Sequence, residues 1–259
     1  MNLKELVVNS LISEQEAKIF LMEILGLTST EFVLNYDIPV SDEASAVFYA
    51  FEKRRLNNEP LEYIINKAFF MGLEFYVNEN VLIPRPETEL LVEEVLNHKG
   101  SVLDLCTGSG CILISLLKLS ENRGVGVDIC PKALEVARKN AAIHKVGKFL
   151  QGDLFEPVRG KFDIMVSNPP YIPTETIFTL DESVKKEPFK ALDGGSDGLE
   201  FYRKLAEKSA FYLNEKGKVF LETGHDQGEA VRNIFLKKNY RAEVKKDYAG
   251  LDRIVIARL

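Results

Sequence analysis

Apolar residues recur at helical spacing through residues 1–66 of the chain. The clearest run starts after Ser13 and Glu16, which match a capping box, and it ends at Gly26. Shorter apolar runs begin at Leu3, at Thr30 and at Ser41 or Asp42. Amphipathic helices of this kind bury their apolar stripes against one another, so the pattern predicts a small helical bundle domain. Because this stretch holds no cluster of catalytic side chains, we expect it to dock a partner.

The helical pattern breaks at Glu59-Pro60. Two short apolar runs, Lys67–Phe70 and Leu73–Val77, are separated by Met71-Gly72 and predict a hairpin or two short strands. We therefore interpret residues 67–84 as a hairpin linker and residues 85–259 as a second domain. Pro86 suits the first position of a helix, which the apolar spacing continues to Gly100.

From Ser101 onward, short apolar runs alternate with stretches of helical spacing. The predicted strands are Val102–Leu105, Gly124–Asp128, Lys148–Gln151, Phe162–Val166 and Lys218–Glu222, with Tyr240–Lys245 and Arg253–Ala257 as a closing pair. Strands that alternate with helices favour a mainly parallel sheet whose crossovers are right-handed. The second domain is therefore predicted to be of the α/β class.

Composition narrows the functional classes. The chain has 259 residues, 46% hydrophobic and 28% charged, as in ordinary globular proteins. No apolar run approaches the ~20 residues that span a bilayer, so no membrane partner is expected. The 3 cysteines form no C-x-x-C pair, which argues against a disulfide framework and a zinc site and favours the cytoplasm. A net charge of −6 disfavours a broad nucleic-acid surface.

A glycine-rich loop, Cys106-Thr107-Gly108-Ser109-Gly110, follows the first strand of this sheet and precedes a helix. Such a loop lets the backbone approach a ligand at a helix N-terminus. Asp128 ends the next strand, where a carboxylate can bind ribose hydroxyls. The dinucleotide pattern requires a third glycine, but this chain has Leu113 there. A nucleoside without phosphates, such as S-adenosylmethionine, is therefore expected.

Other polar positions surround the same loop. Asp104 is placed either to receive the ammonium group of the cofactor or to order the loop, and Asp153-Leu154 ends the third strand, where it can frame an adenine. With Asn168, introduced next, these positions make up the candidate cofactor-binding set. The set is Asp104, Cys106, Thr107, Gly108, Ser109, Gly110, Asp128, Asp153, Leu154 and Asn168.

The fourth strand stops at Asn168-Pro169-Pro170-Tyr171. Paired prolines end a strand abruptly and stiffen the loop at the sheet edge where α/β folds bind ligands. The Asn168 side-chain oxygen and the Pro169 carbonyl are two acceptors that suit a planar NH2 group. Pro170 and the Tyr171 ring would form the sides of the slot. These four residues are the candidate catalytic residues.

The chain resembles the release factor glutamine methyltransferase family, known as PrmC/HemK. Matching segments include Glu59–Ile64, Leu82–Glu89, Asp104–Gly110, Asn168–Tyr171 and Glu187-Pro188, together with Ala191-Leu192, Asp197–Leu199 and Glu222–Ala230. The resemblance implies a Rossmann-like class I methyltransferase sheet behind the helical bundle. It implies S-adenosylmethionine as cofactor, S-adenosylhomocysteine as product, and the Gly-Gly-Gln glutamine of peptide chain release factors as the methylated group. Two positions depart from the pattern, Cys106 in place of a frequent glycine and Leu154 in place of an aromatic residue.

Two alternatives remain open. The same slot would accept an adenine NH2, as in DNA or RNA adenine-amino methyltransferases, although the acidic charge disfavours direct nucleic-acid binding. A non-catalytic S-adenosylmethionine-binding protein is disfavoured because it has no use for the Asn-Pro-Pro-Tyr slot. Glu222 and His225 receive no assigned role, since methyl transfer requires no separate strong base. Residues 173–198 lack an apolar period, and we expect them to cover the docked target.

Overall fold

The computed structural model describes residues 1–259 and divides into two compact units. The first unit comprises residues 1–66 together with 181–186. Its helices are α1 (Leu3–Val8), α2 (Glu14–Leu25), α3 (Ser29–Leu34), α4 (Asp42–Leu56) and α5 (Leu61–Ile65). Capping boxes at Ser13 and Thr28 begin α2 and α3, which satisfies backbone N–H groups that a helix start leaves free. Phe20, Leu21 and Phe48 are fully buried in the core of this bundle.

The second unit comprises residues 67–180 and 187–259. Its strands are β1 (Lys67–Phe70), β2 (Leu73–Tyr76), β3 (Ser101–Leu105), β4 (Arg123–Asp128), β5 (Phe149–Gln151), β6 (Phe162–Ser167), β7 (Leu213–Glu222), β8 (Arg241–Lys246) and β9 (Asp252–Arg258). Its helices are α6 (Pro86–Leu96), α7 (Cys111–Leu119), α8 (Pro131–His144), α9 (Thr174–Ile177), α10 (Phe189–Leu192), α11 (Glu200–Tyr212) and α12 (Gly228–Leu236).

The main sheet has 7 strands in the order β5-β4-β3-β6-β7-β9-β8. Strands β3 to β7 pair in parallel, and only β9 runs antiparallel to its neighbours. The mainly parallel α/β sheet predicted from the alternating pattern is confirmed, and so is the Rossmann-like class that the family resemblance implied. The chain winds outward from β3 through β4 to β5 and then returns to β6 beside β3. This reversal opens a crevice at the carboxyl ends of β3 and β6, where α/β sheets bind ligands.

Apolar side chains bury both faces of the sheet. Leu103 and Leu105 face one cluster with α11 and α12, and Val102 faces the other with α6 and α7. A strand covered on both faces needs apolar residues on both of them, which is why those of β3 follow one another without alternation and only Asp104 interrupts them. The separate hairpin pairs β1 with β2, with Phe70 and Phe75 buried against the second cluster. None of the helices has the length and apolar character required to cross a membrane.

Some helices lie outside the predicted pattern. Helix α12 was not assigned from the sequence, and residues 173–198 contain the short helices α9 and α10 and a 3-10 turn at Val184–Lys186. These pieces are too short to show an apolar period, which needs about three turns to be recognised. Strand β7 also begins at Leu213, earlier than predicted, with an irregular register opposite β6.

Candidate active site

The glycine loop runs from the end of β3 into α7 with an unusual backbone. Cys106 has a φ of 60°, Gly108 of 53° and Gly110 of 81°. A Cβ at position 110 would lie 2.9 Å from the Phe149 ring, so this position requires glycine on both conformational and steric grounds. A Cβ at Gly108 would meet nothing within 4 Å, which leaves space above the loop for a ligand.

Asp104 lies beneath this loop. Its side chain is fully buried and one oxygen accepts a hydrogen bond from the Thr107 hydroxyl at 2.5 Å, while Oδ1 has no partner. Burial raises the pKa of Asp104 to about 7, against the effect of the Thr107 hydrogen bond. Of the two roles expected for Asp104, its contacts correspond to the ordering of the loop.

Asp128 stands at the end of β4 with its carboxylate turned to the loop. It accepts the Gly108 N–H at 2.9 Å and the Cys130 N–H at 2.8 Å. Burial raises the pKa of Asp128, although these backbone hydrogen bonds oppose the shift. Each carboxylate oxygen keeps a further lone pair, so Asp128 can still accept ligand hydroxyls.

Asn168 follows β6, directly across the crevice from the glycine loop. Its Nδ2 donates to the Thr88 hydroxyl at 3.1 Å, which places the donor side of the carboxamide on the protein. Pro169 and Pro170 are buried, and the Tyr171 carbonyl accepts the Gln227 Nε2 at 2.8 Å. The loop is therefore rigid, and the Asn168 oxygen is the side of the amide that remains for a substrate donor.

A cavity of about 300 Å³ joins the two loops. The proposed site residues that line it are Cys106, Thr107, Gly108, Ser109, Asp128, Asp153, Leu154, Asn168 and Pro170. The other proposed residues, namely Asp104, Gly110, Pro169 and Tyr171, support the loops without lining the cavity. Its volume lies at the lower end of the range for small-molecule sites, roughly 300–1,000 Å³, and is adequate for a nucleoside.

An ion pair closes one wall of the cavity. Arg85 binds the carboxylate of Glu187, whose other oxygen accepts the Ile83 N–H at 3.0 Å. The Glu187 side chain is 2% exposed and that of Arg85 is 34% exposed. A second contact, from the Thr174 hydroxyl to Asp193 at 2.6 Å, joins the two ends of residues 173–198, the segment that contains Glu187. These contacts stabilise residues 173–198, for which the sequence shows no apolar period.

The sequence patterns did not single out two further residues at the site, Thr88 and Asn140, and they left Glu222 without an assigned role. Asn140 is fully buried in α8 and makes hydrogen bonds to the backbone N–H and carbonyl of Tyr76, at 2.8 and 3.0 Å, and to the Ser109 carbonyl at 2.9 Å. A usable signal exists, because Thr88 and Asn140 are polar residues within the apolar stripes of α6 and α8. A polar side chain on a buried stripe requires partners.

Comparison with known proteins gives two family matches, the PrmC N-terminal domain over residues 9–65 and the methyltransferase small domain over residues 86–195. The chain is 39% identical to the release factor glutamine methyltransferase of Thermodesulfovibrio yellowstonii, covering 98% of this chain and 95% of that protein. It is 40% identical to the corresponding protein of Aquifex aeolicus, over 94% and 90% of the two chains. A methyltransferase structure from Pyrococcus furiosus shares the fold, with a TM-score of 0.60 and 20% identity over 80% of this chain and 96% of that one.

Proposed function

The chain belongs to the release factor glutamine methyltransferase family, and we infer from this that it methylates the side-chain amide nitrogen of the glutamine in the Gly-Gly-Gln motif of peptide chain release factors. The enzyme is a protein-glutamine N-methyltransferase that uses S-adenosylmethionine. The observation that carries this conclusion is the identity of 39% over nearly the full length of both proteins. The Asn-Pro-Pro-Tyr slot beside the cavity supplies the matching chemistry.

The residues around the cavity fit the cofactor. The carboxylate of Asp128 suits ribose hydroxyls, and the open space above Gly108 admits a ligand against the backbone. Asp153 and Leu154 line the same cavity, where we assign them to the adenine. When bound, S-adenosylmethionine supplies a methyl group on a positively charged sulfur. Asp104, Cys106, Thr107, Ser109 and Gly110 complete the proposed binding set by shaping the loop.

Asn168 and Pro169 carry the proposed catalytic step. An amide nitrogen is a poor nucleophile because its lone pair is delocalised into the carbonyl. Acceptance of its two N–H bonds by the Asn168 oxygen and the Pro169 carbonyl makes the nitrogen richer in electrons and orients it toward the methyl group. Pro170, which lines the cavity, and Tyr171, which lies behind the lining, are proposed to form the sides of the slot. The rate gain is then positioning and electrostatics, and the product proton leaves to water after transfer.

The helical domain, residues 1–66, is proposed to dock the release factor, with the hairpin region 67–84 as its linker to the methyltransferase domain, residues 85–259. Residues 173–198 are proposed to cover the docked glutamine loop. Phe178 in this segment is 68% exposed and its ring lies 6.4 Å from that of Phe189, which lines the cavity. Protection of this segment from protease when the release factor binds would support the proposal, and unchanged cleavage would contradict it.

The protein is proposed to act in the cytoplasm, where peptide release takes place. Its Cys106, Cys111 and Cys130 are free thiols, as suits a reducing compartment.

A single incubation tests the function. Methyl-labelled S-adenosylmethionine is supplied with the protein, an intact release factor and an oligonucleotide containing adenine, and the label is followed into each. We expect label only in the release factor, at the Gly-Gly-Gln glutamine, and none when that glutamine is replaced by alanine. Label in the oligonucleotide would identify an adenine-amino methyltransferase, and no label in either would contradict catalysis.

A further inference from the structure

A buried carboxyl group lies directly behind the Asn-Pro-Pro-Tyr loop. Glu222 is 1% exposed at the carboxyl end of β7, and the pairing of Ser167 with Leu221 brings it level with Asn168, the residue that follows β6. The side chains of Thr88 and Asn168 lie near enough to this carboxyl to oppose the rise in its pKa that burial causes. Thr88 accepts the Asn168 N–H at 3.1 Å, so these two side chains and the Glu222 carboxyl form one polar group of three residues.

Glu222 and the nearby Arg253 do not form an ordinary structural ion pair. Glu222 Oε2 has no hydrogen-bond partner, and neither has Nε of Arg253 on the adjacent strand, whose guanidinium is shared with Asp247 at 3.3 Å. Burial raises the pKa of Glu222 to about 7, and the nearby Thr88 hydroxyl and the Arg253 charge only partly oppose the shift. The titratable groups that face Glu222 from the neighbouring elements are Glu87, Cys111, Tyr171, Tyr202 and Arg253.

A buried carboxyl such as that of Glu222 lowers the stability of the folded protein when it is ionised. A buried charge without a full complement of partners destabilises a protein, whereas a neutral residue of the same shape would not. The apolar environment also makes the charge more effective, because it is weakly screened. The position beside Asn168, rather than stability, therefore accounts for a carboxyl here.

We propose that Glu222 is a positioning residue for methyl transfer, which acts through Thr88 to hold the Asn168 carboxamide with its oxygen toward the target amide. This inference rests on the proposed function and deepens it. In this arrangement the Thr88 hydroxyl donates a hydrogen bond to ionised Glu222, which leaves the Thr88 oxygen free to accept the Asn168 N–H. Methyl transfer leaves the target nitrogen positively charged until one of its protons departs to water. The negative charge of Glu222 stabilises that charge through the polarised chain of hydrogen bonds.

The test uses Glu222→Gln and Thr88→Val, with Thr223→Val as the matched control. Thr223 is a fully buried threonine next to Glu222 whose hydroxyl has no partner, so its loss leaves the three-residue group intact. We expect kcat on the intact release factor to fall about 10- to 100-fold in both Glu222→Gln and Thr88→Val, with KM and S-adenosylhomocysteine affinity within about twofold of wild type. Thr88→Ser should recover most of the lost kcat, and Thr223→Val should retain it.

The pH profile provides a readout that a merely structural role would not change. With both substrates saturating, wild-type kcat should decline as the pH falls below about 7, because protonation removes the Glu222 charge. The Glu222→Gln variant should lack this decline. Thermal melting and binding of S-adenosylhomocysteine will show that each variant is folded. If Glu222→Gln unfolds, Thr88→Val gives the same kcat comparison.

The outcomes are distinct. Wild-type kcat in either Glu222→Gln or Thr88→Val would overturn the inference while the proposed function stands. Equal losses in Thr223→Val, or a kcat loss accompanied by an equal loss of cofactor affinity, would reduce Glu222 to a structural role and overturn it as well. A wild-type protein that leaves the release factor unmethylated would overturn the proposed function and this inference with it.

Discussion

The Asn168 side chain donates to the Thr88 hydroxyl at 3.1 Å, although the two residues are 80 positions apart in the chain. A carboxamide has a donor side and an acceptor side, so committing the donor to Thr88 determines what the acceptor can face. The contact links the first turn of α6 to the end of β6. The orientation of the proposed catalytic amide is thus determined by a helix that precedes the sheet.

Asn168→Ala removes the acceptor proposed to polarise the target amide. We expect kcat to fall by about 10²–10³, the range for loss of one preorganised polar group, while S-adenosylhomocysteine affinity changes by less than about threefold. Methyl transfer to a release factor and calorimetric titration of the product measure the two effects. Asn97→Ala, which removes an exposed amide at the end of α6, serves as the control. Normal turnover in Asn168→Ala would rule out the assigned role.

Gly110→Ala combines backbone strain with a steric clash. A side chain at a φ of 81° costs about 1–2 kcal/mol, and the new Cβ would lie 2.9 Å from the Phe149 ring. Gly250→Ala has nearly the same φ, 80°, with nothing within 4 Å, and so isolates the strain. Denaturant unfolding should show a larger loss of stability for Gly110→Ala, together with weaker cofactor binding. Equal losses of stability in the two variants would show that the Phe149 ring moves aside from the new Cβ without an energetic cost.

Glu187→Ala removes the buried partner of Arg85 and the acceptor of the Ile83 N–H. Breaking a buried pair costs about 3–5 kcal/mol, and we expect roughly 2 kcal/mol here because Arg85 is partly exposed. The segment around α10 should become more sensitive to protease. Glu182→Ala breaks an exposed pair with Lys185 and should change little. Identical protease resistance in the two variants would mean that the ion pair does not secure this wall.

The buried carboxyls give the stability a distinctive pH dependence. Folding raises the pKa of Glu222 from 4.5 to about 7, so the folded state keeps a proton that the unfolded state has lost. The stability from this group is present below the unfolded pKa and is lost as the pH rises through about 7. Glu222→Gln should therefore gain stability relative to wild type between pH 4 and pH 8, by about 3 kcal/mol at the upper end.

Asp163→Asn provides a control of opposite sign. Hydrogen bonds from the Ser101 backbone and from Asn214 lower the pKa of Asp163, so its contribution is present at high pH and is lost as the pH falls. Asp163→Asn should be less stable than wild type at pH 8, with a difference that shrinks in acid. Thermal melts of both variants across this range decide the matter. Parallel curves for Glu222→Gln and wild type would show that Glu222 titrates normally.

Features carried by adjacent residues could be predicted from the sequence. A strand, the loop after it and the next helix are continuous in the chain, so the apolar runs located the glycine loop and the Asn168 loop at one sheet edge. The contacts that orient these loops join distant residues. Asn168 reaches Thr88 across 80 positions and Glu187 reaches Ile83 across 104, and no local pattern encodes such distances.

The two departures from the family pattern share a conformation. Cys106 and Leu154 both have positive φ, 60° and 48°, where a side chain is disfavoured relative to glycine. The sequence identified these positions as unusual, but a residue type alone does not reveal the backbone it must adopt. Both lie against the cavity, and strained backbone of this kind persists only where the surrounding structure enforces it.

Asn140 connects the small hairpin to the glycine loop of the candidate site. One carboxamide grips Tyr76 on β2 and Ser109 in the glycine loop, so neither backbone can shift without disturbing the other's anchor. Neither strand of the hairpin lines the cavity, yet we expect a distortion of the hairpin to displace the glycine loop and so to change the affinity of the proposed methyl-donor pocket. The hairpin therefore stabilises the position of the glycine loop through Asn140.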